Sequence, residues 1–211
     1  LAAHGRWTVQ AREYAARVRR YRDEIGGLQW AAIQGWMCEP IMLQKTGLTV
    51  DEHQRRSVDS LLELRALAPD LPWAPVLQGW CLGEHERHVE MYDAAGVDLR
   101  AEPIVGVGSI CRRQHTLGAA VILRGLAAMG LRLHGFGLKV QGLRLVADVL
   151  ASADSLAWKG RMAHKMSNED VRLARALRAA GTPRNDVAAR FGVTPELISN
   201  IVARRARRYV A

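Results

Sequence analysis

Four short segments of this 211-residue chain combine glycine with polar side chains, a fifth carries a lone aspartate, and each follows or ends an aliphatic run. They are Gln34-Gly35-Trp36-Met37-Cys38-Glu39-Pro40, Gln78-Gly79-Trp80, Gly106 to Arg113, His134 to Lys139, and Ala153-Asp154-Ser155. Glycine lets the backbone approach a flat ligand closely, which suits recognition of a base by main-chain amides. Asp154 is a carboxylate with no charged partner near it in sequence, so it could act as a nucleophile or an acid–base group. Taken singly each signal has a plainer explanation: glycines end strands for structural reasons, and an isolated aspartate is commonly a cap.

The intervening sequence predicts what positions these segments. Gly27 to Ile33, Trp73 to Gly79, Ile104 to Ile110, Leu131 to Phe136 and Ala151 to Leu156 read as strands. Val50 to Leu67 (opened by Thr49), Glu84 to Ala95, Gln114 to Met129 and Gln141 to Leu150 read as helices. Strands alternating with helices across short loops predict an α/β fold with a parallel sheet, open or closed. In such folds chemistry sits on the loops that follow the strands, which is where the five segments fall.

Together and in this order, the segments resemble the tRNA-guanine transglycosylase superfamily, and within it the branch that inserts 7-deazaguanines into DNA. The resemblance covers residues 1 to about 160. It is carried by His4-Gly5-Arg6-Trp7, the run from Trp36 to Pro40, Lys45-Thr46-Gly47-Leu48-Thr49, Val76 to Trp80, Val105 to Arg113, Leu133 to Lys139, and Ser152 to Trp158. It implies part of a (β/α)₈ barrel acting by double displacement: a carboxylate attacks the sugar, guanine departs, and a 7-deazaguanine base replaces it with retention of configuration. Under this resemblance Asp154 is the catalytic nucleophile. Gln78, Gly79, Gly108, Ser109, Gln34, Gly35 and His134 are then base-binding positions, and the target base must leave the DNA stack to reach them. Three departures accompany it. The family's Asp-Ser-Gly-Gly segment lies upstream of Leu1, Gly35 replaces a base-reading aspartate, and no cysteine-rich zinc site follows Asp154, so neither metal nor cofactor is expected. Gln34 is a candidate substitute for the aspartate absent at position 35.

Charge divides the chain. Residues 161–211 hold 11 Lys or Arg against 4 Asp or Glu, whereas residues 1–160 hold 19 against 17. A nearly neutral body with a strongly basic end is the electrostatic footprint of a nucleic-acid partner. Within that end, Ser167 and Asp170 form a capping-box pattern and Gly181 closes the helix it opens. Thr182-Pro183 opens a second helix, Arg184 to Phe191. After the Gly192-Val193 turn, Thr194-Pro195-Glu196 opens a third, running to about Arg205. Ala188 at the helix crossing, with Val187, Ile198 and Ile201 as core, resembles a helix-turn-helix. In that geometry Thr194, Glu196, Ser199 and Asn200 face base edges, while Arg204, Arg205, Arg207 and Arg208 meet phosphates of double-stranded DNA. The expected division is therefore residues 1–164 and 165–211. A three-helix protein-interaction unit is the alternative for the second part.

The rest of the chain sets bounds. At 49% hydrophobic and 24% charged, with six Trp, it is not globally disordered. Apolar runs such as Leu117 to Leu123 are broken by charge long before they could span a bilayer. Cys38, Cys81 and Cys111 are far apart and suit a reduced, cytoplasmic setting. The chain opens on Leu1 without a hydrophobic signal segment, as expected of a piece of a longer protein. His85 and His88 are three residues apart, lack the metalloprotease spacing, and read as a helix surface. Arg112 and Arg113 read either as a phosphate-holding pair or as a surface pair at a helix start. Three functional classes follow: a DNA base-exchange enzyme, a DNA-binding protein carrying a degraded barrel, and a tRNA transglycosylase. The helix-turn-helix pattern favours DNA, because a recognition helix fits a B-form groove and not the narrow major groove of RNA.

Overall fold

Thr49 Oγ1 accepts a hydrogen bond from Glu52 N, and the Glu52 carboxylate in turn accepts one from Thr49 N, so a complete capping box starts the helix Val50–Leu67 at the residue the sequence marks. The computed structural model describes residues 4–113, 116–155 and 166–203. Contacts divide the chain into two compact units, Leu1–Ser155 and Leu156–Ala211, against an expected boundary at 164.

The first unit is α/β with parallel strands. Its elements are α1 (Ala11–Ile25), β1 (Ala31–Ala32), α2 (Pro40–Thr46), α3 (Val50–Leu67), β2 (Trp73–Ala74), β3 (Val76–Leu77) and α4 (Leu82–Ala94). They continue with β4 (Val105–Val107), α5 (Leu117–Ala128), β5 (Leu133–Gly135), α6 (Val140–Val146) and β6 (Leu150–Ala153). The strands are shorter than their apolar runs suggest. The run at 73–79 is cut at Pro75, which has no N–H to donate to a ladder. Its first half pairs with β1 and its second with β4. Pairing is parallel throughout, and strand order follows chain order: β1 with β2, then β3-β4-β5-β6. Two helices, α1 and α2, lie in stretches for which the sequence predicts no element.

Alternation gives the sheet two unlike faces. Leu77, Val105, Val107 and Leu133 belong to the apolar core together with Val89 and Tyr92 of α4 and Ile122, Leu123 and Leu126 of α5. The opposite face carries Val76, Gln78, Gly106, Gly108, His134 and Phe136. A Cβ on Gly106 would come within 2.4 Å of the Phe136 ring and one on Gly108 within 2.4 Å of Gln78 Oε1. The ladder keeps Leu77, Val107, Gly135 and Ala153 in one row. Gln78, Gly108, Phe136 and Asp154 therefore all sit one residue beyond that row, at the carboxyl ends of neighbouring strands.

Helices α3 and α4 are built alike. Their early inward residues are polar and their later ones apolar: His53, Gln54 and Ser57 precede Val58, Leu61 and Leu64 in α3, and His85 and His88 precede Val89 and Tyr92 in α4. The polar turns lie beside the strand-end loops and satisfy their backbone, while the apolar turns cover the sheet.

The second unit holds α7 (Asn168–Ala179), α8 (Arg184–Arg190) and α9 (Pro195–Val202). Met166, Val171, Ala174, Val187, Ala188, Ile198 and Ile201 form its core. Gly192, at φ +61°, ends α8; Gly192 N donates to Ala189 O and Val193 N to Ala188 O. This is the Schellman arrangement, whose left-handed residue favours glycine. Among the described residues no helix is long and apolar enough to cross a membrane, and no group of three or more His, Cys, Asp or Glu converges as a metal-holding set.

Candidate active site

Gln78 is the centre of the first cluster. Its backbone is clamped from both sides: Gln78 N donates to His88 Nδ1 at 2.9 Å, and Gln78 O accepts from Gln54 Nε2 at 2.7 Å. Its side-chain Oε1 accepts from Ser109 Oγ at 2.8 Å, and that same hydroxyl accepts from Cys38 N at 2.8 Å. Ser109 holds φ at +57°, a left-handed conformation rare for a non-glycine residue and one that directs its hydroxyl to both partners. The flat amide of Gln78 fits because no Cβ intrudes. One on Gly35 would fall 2.8 Å from its Nε2, and one on Gly108 2.4 Å from its Oε1. Gly79 is close-packed in the same way, 2.7 Å from His85 Nδ1 by the same construction. The structure thus brings together Gln78, Gly35, Gly79, Gly108 and Ser109.

His85 and His88 are buried, which corrects their reading as a helix surface. Their i, i+3 spacing turns both toward β3, where His88 stacks on Tyr92 and bonds the Gln78 backbone. Accepting through Nδ1 fixes His88 as the neutral tautomer with its proton on Nε2. Burial, with the neighbouring His85 adding to it, pulls its pKa down to about 3. His53, also buried, donates from Nδ1 to Met37 O at 2.7 Å, and Ser57 Oγ accepts from Trp36 N at 2.9 Å. Gln34 does not join Gln78. It donates from Nε2 to Val9 O at 2.9 Å and lines a separate depression with Trp7, Trp36 and Arg56. Its amide is held by the N-terminal segment, so it does not take the place of a carboxylate at position 35.

The second cluster lies at the ends of β5 and β6. Gly137 N donates to Asp154 Oδ1 at 2.7 Å. His134 Nδ1 is 2.8 Å from Ser152 Oγ, and His134 Nε2 is 3.9 Å from Asp154 Oδ1 with no hydrogen-bond partner. The imidazole is buried between Trp30 and Phe136, each 4.7 Å away edge-on. Burial holds its pKa below the ordinary value, with Asp154 acting in the opposite direction. Asp154 itself has a side chain 61% exposed. One carboxylate oxygen is anchored and the other is open to solvent, the arrangement a nucleophile needs.

Around these clusters the Gln-Gly-Trp sequence occurs twice, and each tryptophan carries an arginine over its ring: Arg56 at 4.5 Å from the Trp36 centroid and Arg113 at 3.9 Å from that of Trp80. Arg112 pairs with Glu39 at 2.8 Å, a carboxylate only 3% exposed. The Cys38 thiol, pushed up to about 12 by burial, is a packing group. Sequence reasoning missed Gln54, His88, Ser152 and Glu39. For Gln54 and His88 the available signal was a polar residue at a helix position whose spacing points inward.

In the second unit Thr194 and Glu196 are exposed, and Ser199 and Asn200 half-buried. Thr194 Oγ1 accepts from Leu197 N at 3.2 Å and Ser199 Oγ donates to Pro195 O at 3.2 Å, so both hydroxyls already serve α9. Arg204 and Arg205 lie outside the described residues, as do Arg207 and Arg208.

A family model described as DpdA, DeoxyPurine in DNA protein A, matches residues 1–168. No curated protein matches the chain, and neither does any solved structure.

Proposed function

The chain belongs to the DpdA family, DeoxyPurine in DNA protein A, and we propose that its first unit exchanges guanine in DNA for a 7-deazaguanine base. The observation that carries the reading is the shared level of Gln78, Gly108 and Asp154 at the ends of parallel strands. A base-reading amide and an anchored carboxylate lie three strand spacings apart, roughly 14 Å along the sheet, a span suited to a nucleoside. Parallel strands in chain order, each followed by a helix, support reading this unit as part of a (β/α)₈ barrel with its site at the carboxyl end.

In the first step the free oxygen of Asp154 attacks C1′ of the flipped deoxyguanosine. The C1′–N9 bond breaks, its electron pair leaves with guanine, and guanine takes up a proton. An ester joins Asp154 to the sugar. In the second step the 7-deazaguanine loses its N9 proton and attacks C1′, and the ester electron pair returns to Asp154 as carboxylate. Two inversions give net retention. Gln78 and the Gly108–Ser109 backbone read the base edge, with Ser109 fixing which way the Gln78 amide faces. Gly137 N anchors one oxygen of Asp154 so that the other presents to the sugar.

The second unit, residues 165–211, is proposed as a helix-turn-helix that holds double-stranded DNA. Support comes from the basic charge concentrated there, from the tight α8–Gly192–α9 turn, and from the exposure of Thr194 and Glu196. Neither unit calls for a metal or cofactor in this scheme.

The experiment is trapping of a covalent protein–DNA adduct on guanine-containing DNA. Asp154→Asn is expected to abolish the adduct and leave duplex binding intact; an adduct that survived would remove Asp154 from its role. A second reading, a DNA-binding protein without exchange chemistry, draws on Gly35, which leaves the base-reading aspartate of the resemblance without a counterpart. Wild-type protein that binds DNA and never forms the adduct would select it.

A further inference from the structure

We propose that Arg113 is a phosphate clamp for the candidate site, holding the DNA backbone beside the nucleotide that enters it. The proposal rests on the base-exchange reading above, because it needs a DNA strand at the strand ends. Arg113 stands on the 3₁₀ turn Cys111–Arg113, just past the glycine-rich end of β4. Its guanidinium lies over Trp80, two residues past Gln78 at the end of β3. It therefore bridges the two strand ends that carry Gln78 and Ser109.

What sets Arg113 apart among the described arginines is a buried Nε with no acceptor on a cation that also has no carboxylate partner. Its Nη2 donates to Trp80 O, its Nε is buried with no acceptor, and among the described residues no carboxylate lies within ion-pair distance. The adjacent Arg112 is the opposite case, satisfied by buried Glu39. The two arginines thus divide into one that holds the loop and one left for a ligand. Burial disfavours the charged form of Arg113, so a half-buried cation is kept here at a cost. The Trp80 face and carbonyl offset part of that cost. A guanidinium with no carboxylate partner matches phosphate, whose oxygens accept from its remaining N–H groups. A free base brings no anion for such a group, so Arg113 marks the ligand as a nucleotide within a strand.

The test is binding of a labelled single-stranded oligodeoxynucleotide containing one guanine, compared with strands whose phosphate on either side of that guanine is replaced by a neutral methylphosphonate. Wild-type protein is expected to bind one of the neutral strands roughly tenfold more weakly. Arg113→Gln should bind the natural strand weaker by the same factor, lose its sensitivity to the replacement, and show a salt slope smaller by about 0.7. Arg113→Lys, which keeps the charge, should recover part of the affinity and so separates a lost contact from a damaged fold. If wild type binds the strand but the two losses multiply in Arg113→Gln, Arg113 does not hold that phosphate, while the base-exchange reading stands. If wild type shows no affinity for the strand, both fall. Competition by deoxyguanosine monophosphate as strong as by the strand would overturn the strand as the source of the phosphate.

Discussion

The amide of Gln78 is packed directly over Gly108, whose absent Cβ would otherwise fall 2.4 Å from Gln78 Oε1 and 2.5 Å from its Nε2. The glycine and the glutamine are thus one device: the first makes room and the second fills it with donors and acceptors. Ser109 then fixes the amide by donating to Oε1. Gly108→Ala is expected to displace Gln78 at a cost of about 1–3 kcal/mol of stability and to weaken binding of the free base at least tenfold. Urea unfolding and calorimetric titration with guanine check the two effects. Unchanged base affinity would separate Gln78 from recognition.

Gly35 extends the same logic. An aspartate placed there would meet Gln78 Nε2, since even a Cβ approaches it to 2.8 Å. Gly35→Asp alone should therefore destabilise the fold, and Gly35→Asp with Gln78→Ala should recover much of the loss because the two side chains compete for one space. A double-mutant cycle in urea measures this. Additive losses would mean that position 35 and Gln78 are independent.

How much of this was legible beforehand follows from the physics of each element. Helix α3 was readable to the residue because Thr49 and Glu52 write a complete capping box into local sequence. The loops carrying Gln78, Ser109 and Asp154 were readable because glycine clusters and strand ends are also local. Strand lengths were not, since Pro75 transfers a single run from one neighbour to the other and only pairing reveals it. Helix α1 was hidden by its charge; its buried stripe is only Ala11, Ala15 and Val18. The burial of His85 and His88 depends on which face α4 turns to β3, a tertiary fact that overrides the usual exposure of charged-looking helix positions.

Those histidines are expected to make the fold less stable in acid. The unfolded chain binds a proton at His88 near its ordinary value of 6.5, while the folded chain resists it down to about 3. Between these values the unfolded state holds more protons, so stability falls as pH drops, by about 1.4 kcal/mol per pH unit for this group. His85 and His53, also depressed by burial, act in the same direction. Urea midpoints measured from neutral pH down to about 4 should decline, and His88→Gln should flatten the decline. A His88→Gln profile parallel to wild type would remove His88 as a source.

His134 and Asp154 give a separate pH dependence, in activity rather than stability. Neutral His134 faces Asp154 from 3.9 Å without bonding it. Protonation would convert that contact into an ion pair and draw charge from the carboxylate oxygen that orients the nucleophile. Adduct formation is expected to slow on the acid side as His134 titrates, below its ordinary value because burial opposes the charge. His134→Gln should lose that acid limb while DNA binding is unaffected. An acid limb kept by His134→Gln would assign it to another group.

The second unit makes a prediction with two separable parts. Thr194 Oγ1 caps α9 by accepting from Leu197 N, so Thr194→Ala should lower the stability of that unit by about 1 kcal/mol. Glu196 is exposed on the first turn of the same helix and bonds nothing that constrains it among the described residues. If α9 enters the major groove, Glu196→Ala should change which base pair is preferred and leave the salt dependence of duplex binding unaltered, because a base contact releases no counterion. Replacing arginines 204 and 205 by glutamine should do the reverse, weakening all sequences alike and reducing the salt slope by about 0.9 per lost phosphate contact. Equal effects of both changes on the salt slope would place the DNA elsewhere on the protein.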